Sequence, residues 1–389
     1  MGRFILIGIS ALLHAYVGTR LASAFAGMPW ALAVFATLLV LSALMIPLSL
    51  IARRSTFGIL RGKFTETVAW SGMLFMGLFS SLFVLALVRD IALLLAAALS
   101  SLWPAWWPAL LPTPQWETTS AQWTLAAAIV ATVIGFVSAR RTAAIVHIDI
   151  PIAGLAVELH GFTISQITDI HVGHTIKAGY VHAVVEAVNR LGADMVAITR
   201  DLVDGSVASL REHVAPLRRL ASRHGTFFVT GNHEYYSGAH AWIAELQRLD
   251  IRVLMNEHVV VQHDTAALVV AGVTDVSAHH FDATHRSDPH SAISGAPAHA
   301  SMRLLLAHQP RSAAAAADAG FHLQISGHTH GGQFLPWNFF VRLQQPFVAG
   351  LRRLEDLWVY TSRGTGYWGP PNRFGIPSEI TLLRLVPEG

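Results

Sequence analysis

Four runs of mostly apolar residues precede residue 140: Phe4 to Phe25, Met28 to Ile51, Phe64 to Val88 and Gln122 to Val137. A bilayer core needs about 20 such residues per helix, so the runs read as a bundle of about four transmembrane helices. The last run is short unless Trp123 sits at an interface. A further apolar stretch, Ile91 to Leu111, contains Trp103, Trp106, Trp107 and two prolines. Only Arg89 and Asp90 separate it from the run before, too little for a helical hairpin, and it reads as an interfacial or re-entrant segment. Nothing in the first run resembles a cleaved signal peptide, because the run is long, lacks a small-residue cleavage site and is followed by further spans.

Composition changes sharply after these runs. The hydrophobic fraction of 53% and the mean hydropathy of +0.46 exceed those of an ordinary soluble protein, and the excess lies before about residue 140. Histidine has the opposite distribution, with only His14 of 21 in that first third. Two parts in different solvents follow: a transmembrane region over 1–141 and a polar, His-rich domain over 142–389. The pI of about 9.5 suggests a nucleic-acid partner, yet the net charge is only +3 and no basic run is interleaved with aromatics, so none is expected. The absence of cysteine excludes disulfides, thiolate metal ligands and a Cys nucleophile.

Loops rich in Lys and Arg tend to stay in the cytoplasm. Arg3, Arg53, Arg54, Arg61, Lys63, Arg140 and Arg141 all fall on one side of a four-span bundle, and Arg20 and Arg89 on the other. The polar domain is therefore expected in the cytoplasm, at the bacterial inner membrane. A fifth span would reverse this and place Arg140 and Arg141 outside. His14, Tyr16 and Arg20 are too few for a polar site in the membrane and read as packing or interfacial residues, so the spans act as an anchor.

Beyond Arg141 the pattern alternates between strands and helices. Val146 to Ile152 and Leu155 to Leu159 read as a hairpin turning near Gly154, and Phe162 to Thr168 as a strand. Helical periodicity covers Lys177 to Arg190 and Leu210 to Arg223, with a third helix over Ala239 to Leu249. Strands are expected at Met195 to Thr199, Thr226 to Thr230, Ala267 to Ala271, Arg303 to Ala307, Leu323 to Ser326, Leu357 to Thr361 and Glu379 to Leu385. The run Ser277 to Ser301, rich in His, Asp, Ser and Pro, reads as a long surface loop or lid. Repeated strand then helix argues an α/β domain, and the late strands suggest a second sheet.

Residues able to bind metal stand where strands end, the usual place for ligands in α/β sheets. Asp169 and His171 follow one strand in Q-I-T-D-I-H-V-G. Asp201 follows another in R-D-L-V-D-G, with Asp204. Asn232 and His233 lie in T-G-N-H-E, His308 in L-A-H-Q-P, and His328 and His330 in S-G-H-T-H-G-G. Carboxylates, imidazoles and an amide oxygen without sulfur suit Mn, Fe, Zn or Mg rather than copper, with manganese placed first. Gly231, Gly327, Gly331 and Gly332 allow tight turns and close backbone approach. Any one element occurs by chance; five in order, each at a strand end, do not.

These residues resemble the calcineurin-like metallophosphoesterase family, and most closely its bacterial membrane-associated branch, in which R-G-T-G-Y-W-G-P-P-N-R-F-G also has a counterpart. The resemblance covers roughly Val146 to Leu385 and implies a metallophosphoesterase-type β-sandwich flanked by helices, with two divalent cations. It implies that one takes Asp169, His171 and His330, the other Asn232, His308 and His328, and that Asp201 bridges them. Two adjacent cations neutralise the oxygens of an anionic ester and lower the pKa of a bound water. The family's Asp-His pair implies that His233 faces the leaving group and that Asp204 orients it. Asp204 is equally read as a turn residue before Gly205. His174 contacts substrate or is a solvated loop histidine, and Glu234 caps or supports the following helix.

One residue departs from the family pattern. Arg200 stands before Asp201, where the family usually has glycine. If that position requires a positive φ, an Arg strains the turn. Its side chain then points away, assists phosphate binding, or impairs metal occupancy; in the last case the domain is a metal-compromised binding or regulatory module. Phe334, Leu335, Trp337, Phe339, Phe340 and Phe347, with Tyr367 and Trp368, are divided between core and an apolar entrance beside the metals. With Arg342, Arg352 and Arg353 able to meet lipid headgroups, a lipid or lipid-linked phosphoester is the expected substrate and the bilayer the expected partner.

Overall fold

The computed structural model describes residues 2–54, 63–102 and 113–389. It divides into two compact units, 1–137 with 369–372, and 138–368 with 373–389.

The first unit contains four long helices: α1 (Gly2–Leu21), α2 (Pro29–Arg54), α3 (Lys63–Leu102) and α4 (Pro114–Arg140). All four are long and apolar enough to cross a membrane. Leu38, Leu48, Leu94, Leu95, Ile129 and Val133 are exposed, as expected where lipid is the solvent. Inside, Val17, Leu21, Leu39, Leu82, Ala86 and Ala128 pack together. His14 is a packing residue: its imidazole stacks on Phe79 with ring centroids 3.7 Å apart and bonds the Ser10 carbonyl and the Ser42 hydroxyl. Asp90 accepts from Tyr16 at 2.8 Å and from Arg20 at 2.6 Å, and Arg89 reaches Ser120.

The expected break after Asp90 is absent. Helix α3 runs unbroken through Arg89 and Asp90 to Leu102, because those two side chains find partners on other helices while their backbone stays helical. At about 1.5 Å per residue its 40 residues rise about 60 Å, twice a hydrocarbon core. Trp103, Trp106, Trp107 and the rest of that segment to Leu111 lie outside the described residues, as does Arg61.

The second unit is a sandwich of two six-stranded sheets. Its elements in chain order are β1 (Ala144–Ile152), β2 (Thr163–Ile167), α5 (Ala178–Leu191), β3 (Met195–Ile198), α6 (Val207–Val214), β4 (Thr226–Phe228), α7 (Asn232–Ser237), α8 (Ala239–Arg248), β5 (Arg252–Val253), β6 (Glu257–His263), β7 (Ala266–Gly272), α9 (Pro289–Ile293), β8 (Met302–Leu306), α10 (Ala313–Asp318), β9 (Leu323–Ser326), α11 (Asn338–Val341), β10 (Gly350–Leu354), β11 (Leu357–Thr361) and β12 (Glu379–Pro387). One sheet has the order β1-β12-β2-β3-β4-β5, the other β10-β11-β9-β8-β7-β6.

Period-two alternation explains the layering. In β3, Met195 and Ala197 enter the core between the sheets, while Val196 and Ile198 face α5, α6 and α8. In β8, Leu304 and Leu306 point inward and Leu305 outward, toward the cluster that includes Ala313 and Ala316 of α10. Both faces are apolar because helices cover each outer face. β2, β3 and β4 are parallel, as are β7, β8 and β9, so in each sheet these strands end on the same side.

Two expected elements differ. β1 is not half of a hairpin: it pairs in parallel with β12, and residues 157–159 form a 3-10 turn. Leu155 and Leu159 both enter the inter-sheet core. The helix expected over Leu210 to Arg223 starts earlier and stops at Val214, since Pro216 cannot continue it and the chain tightens into a 3-10 turn over 215–219.

Candidate metal centre

The carboxyl ends of five strands bring the expected ligands together in two sets. In the first, Asp169, His171 and His330 each offer a ligand atom within 4.8 Å of the others; in the second, Asp201, His308 and His328 do the same. Asn232 Oδ1 lies 2.8 Å from His308 Nε2, joining the second set, and Asp201 Oδ2 lies 3.6 Å from that nitrogen. The sheets are tied across the centre where the His328 amide donates to the Asp169 carboxylate at 3.0 Å, and within the first sheet the His233 amide donates to Asp201 Oδ1 at 3.1 Å.

Close backbone approach is built in at two glycines. A Cβ at Gly231 would lie 2.1 Å from Asp201 Oδ1, and one at Gly327 2.1 Å from Asp169 Oδ2. Asp169, His171, Asp201, His328 and His330 all adopt positive φ, so the ligands sit on tight, left-handed turns. Glu234 does more than support its helix. Its buried carboxylate accepts from the Gly231 amide at 2.7 Å, reaching back to the N-cap of α7, and from the Asp201 and Leu202 amides, fixing the turn that presents Asp201.

Asp204 holds two imidazoles. Its Oδ1 lies 3.1 Å from His171 Nδ1 and 2.5 Å from His233 Nδ1. Burial alone would raise Asp204, but the two imidazoles outweigh it and hold the carboxyl well below its usual range. His233 is raised to about 9: burial opposes its charge, and the Asp201 and Asp204 carboxylates prevail. Burial lowers His171, His330 and His328, the last to about 4, leaving neutral nitrogen donors.

These residues fit a divalent cation. Burial pushes Asp169 up and Asp201 well up, so two carboxylates stand in a buried site facing neutral imidazoles. Donating Nδ1–H to Asp204 leaves His171 Nε2 with a free lone pair. His330 differs. Its Nδ1 accepts from Arg373 Nη2 at 3.0 Å, which leaves its one ring hydrogen on Nε2, 3.0 Å from His171 Nε2. For Nε2 to hold a cation that hydrogen would have to leave it; Arg373 is also held by the carbonyls of His330, Arg363 and Gly366. The sequence reading did not single out Arg373; its place in the late R-G-T-G motif was the available signal.

Arg200 has φ +91, a conformation suited to glycine. Its side chain is fully buried, and Nη1 pairs with Asp275 Oδ2 at 3.3 Å, while Nε and Nη2 have no hydrogen-bond partner. Burial lowers Arg200 to about 10, so it keeps its charge at neutral pH. Asp275 Oδ2 also accepts from Gln309 at 3.0 Å and lies 3.7 Å from His308 Nε2, so the pair adjoins the second ligand set. Asp275 was not anticipated; nothing near it in sequence marks it as Arg200's partner.

The other expected residues separate. Phe334 and Tyr367 are buried, and Phe347 packs against the outer face of the second sheet. Leu335, Trp337, Phe339, Phe340 and Trp368 are exposed, with Leu343. Trp368 stands beside His233, ring centroids 6.1 Å apart, and its backbone pairs with the Gln333 side chain. His174 is half-buried in the loop after β2.

A helix-flanked double sheet with two sets of hard and borderline ligands at its strand ends defines a metallophosphoesterase-type domain. Residues 162–332 match the family model of the calcineurin-like phosphoesterases. A transmembrane protein with metallophosphoesterase domain from Bos taurus is 39% identical over 268 residues, covering 66% of this chain and 60% of that one. An uncharacterized metallophosphoesterase from Helicobacter pylori is 38% identical over 227 residues, covering 57% of this chain and 59% of that one. The alignments span about three fifths of each of these relatives.

Proposed function

We propose that the chain is a membrane-anchored, metal-dependent phosphoesterase whose two ligand sets hold a pair of divalent cations, bridged by Asp201. The observation that carries this reading is the convergence of Asp169, His171 and His330 with Asp201, Asn232, His308 and His328 at one edge of the sandwich. The cations would screen the ester's negative charge and acidify a water. The chain's own residues do the rest. Asp204 fixes the rings of His171 and His233, and His233, charged at neutral pH, holds a proton for the departing oxygen. Trp368 limits water beside it.

The substrate is proposed to be a lipid or lipid-linked phosphodiester, phosphomonoester or pyrophosphate. Supporting this, Leu335, Trp337, Phe339, Phe340 and Leu343 form an exposed apolar stretch directly after the S-G-H-T-H-G-G turn, and Arg342, Arg352 and Arg353 are exposed. The domain is proposed to face the cytoplasm of the inner membrane, supported by the side on which the loop arginines fall; a reporter fused at the C-terminus that is active only in the periplasm would refute that. The central test is a metal-supplemented screen over phosphomonoesters, phosphodiesters and lipid pyrophosphates, with Asn232→Ala and His233→Ala as controls. Metal-dependent turnover of a lipid substrate, lost in both variants, is expected. Turnover restricted to soluble diesters would sink the lipid assignment alone.

A second reading is favoured by one observation. The buried Arg200 guanidinium puts a fixed positive charge beside the second ligand set, which lowers that set's affinity for a cation and would make the domain a binding or regulatory module. Metal analysis of the wild type and Arg200→Gly separates the two. Equal metal content and equal turnover would end this reading.

A further inference from the structure

A third set of metal-ligand side chains lies outside the centre described above, and it absorbs the His-rich lid that the proposed chemistry leaves unused. His240, at the start of α8, meets His285 of the 3-10 turn over 283–285 and Asp282, that turn's N-cap, within the run 277–301. One ligand atom from each lies within 4.8 Å of the other two. His240 Nε2 is 3.2 Å and His285 Nε2 3.8 Å from Asp282 Oδ2. A tetrahedral zinc ion with ligand bonds of about 2.0–2.1 Å requires ligand atoms about 3.3 Å apart, so these atoms are spaced to close on one ion with little movement.

The surroundings orient the ligands. Asp282 Oδ1 is engaged by the Thr284 amide at 3.0 Å and hydroxyl at 2.6 Å, which leaves Oδ2 to face the two histidines. His285 Nδ1 lies 2.9 Å from the Tyr235 hydroxyl. With the imidazole N–H donating to the Tyr235 oxygen, the lone pair of His285 Nε2 points into the set. A metal-binding histidine held by an outer partner in this way is the usual arrangement. Tyr235 and Tyr236 both contact Phe281 of the lid, with ring centroids 5.7 Å and 5.6 Å apart.

We propose that His240, Asp282 and His285 form a zinc site that clamps the 277–301 lid onto α7 and α8. Two nitrogens and one carboxylate oxygen, with a fourth position open to water, are a zinc-type ligand set. His240 belongs to α8, which directly follows α7, the helix that begins with Asn232 and His233 and holds Tyr235, so an ion there would link the lid to the segment that carries that turn. Without it, the His240–Asp282 contact at a largely exposed position supplies only a weak tether.

The experiment uses the detergent-solubilised full chain, stripped of metal with a chelator and titrated with zinc, with bound equivalents counted calorimetrically and by elemental analysis. His240→Ala, Asp282→Asn and His285→Gln should each lose the same single equivalent, or bind it at least about tenfold more weakly, and keep the others. Trypsin cleavage after the exposed Arg286 gives a second readout, independent of turnover. Zinc should slow it in the wild type and not in His240→Ala. Since His240 is mostly exposed, that variant is expected to fold, which matching circular dichroism without zinc would verify. An unchanged zinc count in all three variants, or protection that persists in His240→Ala, overturns the proposal.

Discussion

At the scale of single residues, the balance of this centre turns on Arg200 and Asp275. Arg200 adopts a glycine-type φ, with a strain of order 1–3 kcal/mol, and its guanidinium is compensated by one buried carboxylate. Removing either partner uncovers a buried charge, which costs about 3–5 kcal/mol and outweighs the relief of strain. In metal-free protein, Arg200→Gly and Asp275→Asn should each lower the melting temperature, and the double variant should recover most of the loss. Additive losses would show that the two are not coupled. Asp204 makes a separate prediction, because it serves two rings. Asp204→Asn should reduce metal affinity about 10–100-fold through His171 and also slow turnover through His233. His233→Ala should leave metal content unchanged and reduce turnover about 10²–10⁴-fold. Much of this was legible in the sequence: the ligand residues were set by type and by position at strand ends, and the demand for a positive φ at Arg200 was inferred from the residue that usually stands there. Asp275 and Arg373 were not, since their partners lie 75 and 43 positions away in the chain.

Among the elements, legibility followed the physics of burial. β3, β4 and β9 are short apolar runs covered on both faces, so their existence and approximate limits were readable. β6, in contrast, alternates exposed and buried positions and carries His258, Gln262 and His263, while β10 is half exposed and carries Arg352 and Arg353; neither rose above a polar background. In the helical unit, composition identified the spans but could not tell where helices touch. α2 and α3 approach closely at Gly72, where a Cβ would lie 2.3 Å from Ser49 Cβ and 2.6 Å from the Met45 carbonyl oxygen. Small residues allow this kind of backbone contact in membranes. Gly72→Val should force the pair apart and lower the thermal stability of the solubilised protein by several degrees, whereas Gly8→Val, with nothing within 4 Å, should not. Equal stability of the two variants would argue against a packed α2–α3 contact.

For the whole molecule, the apolar first third and the His-rich remainder announce a membrane protein bearing an α/β domain, while the way two sheets share one centre is invisible until the strands are paired. Asp169, Asp201 and Asn232 come from one sheet; His308, His328 and His330 come from the other. A cation held between them is therefore a stitch across the seam of the sandwich, and whatever shifts the sheets is felt by the ion. Leu304→Ala, in the dry layer between the sheets, should cost about 2–5 kcal/mol of stability and weaken cation uptake without altering any ligand. The coupling is reciprocal: free metal at about 100 times its dissociation constant should stabilise the domain by about 2.7 kcal/mol. Scarcity of metal in the cell would then do more than leave the centre empty. It would loosen the sandwich itself and expose the chain to proteolysis, so that the amount of this protein tracks the metal supply.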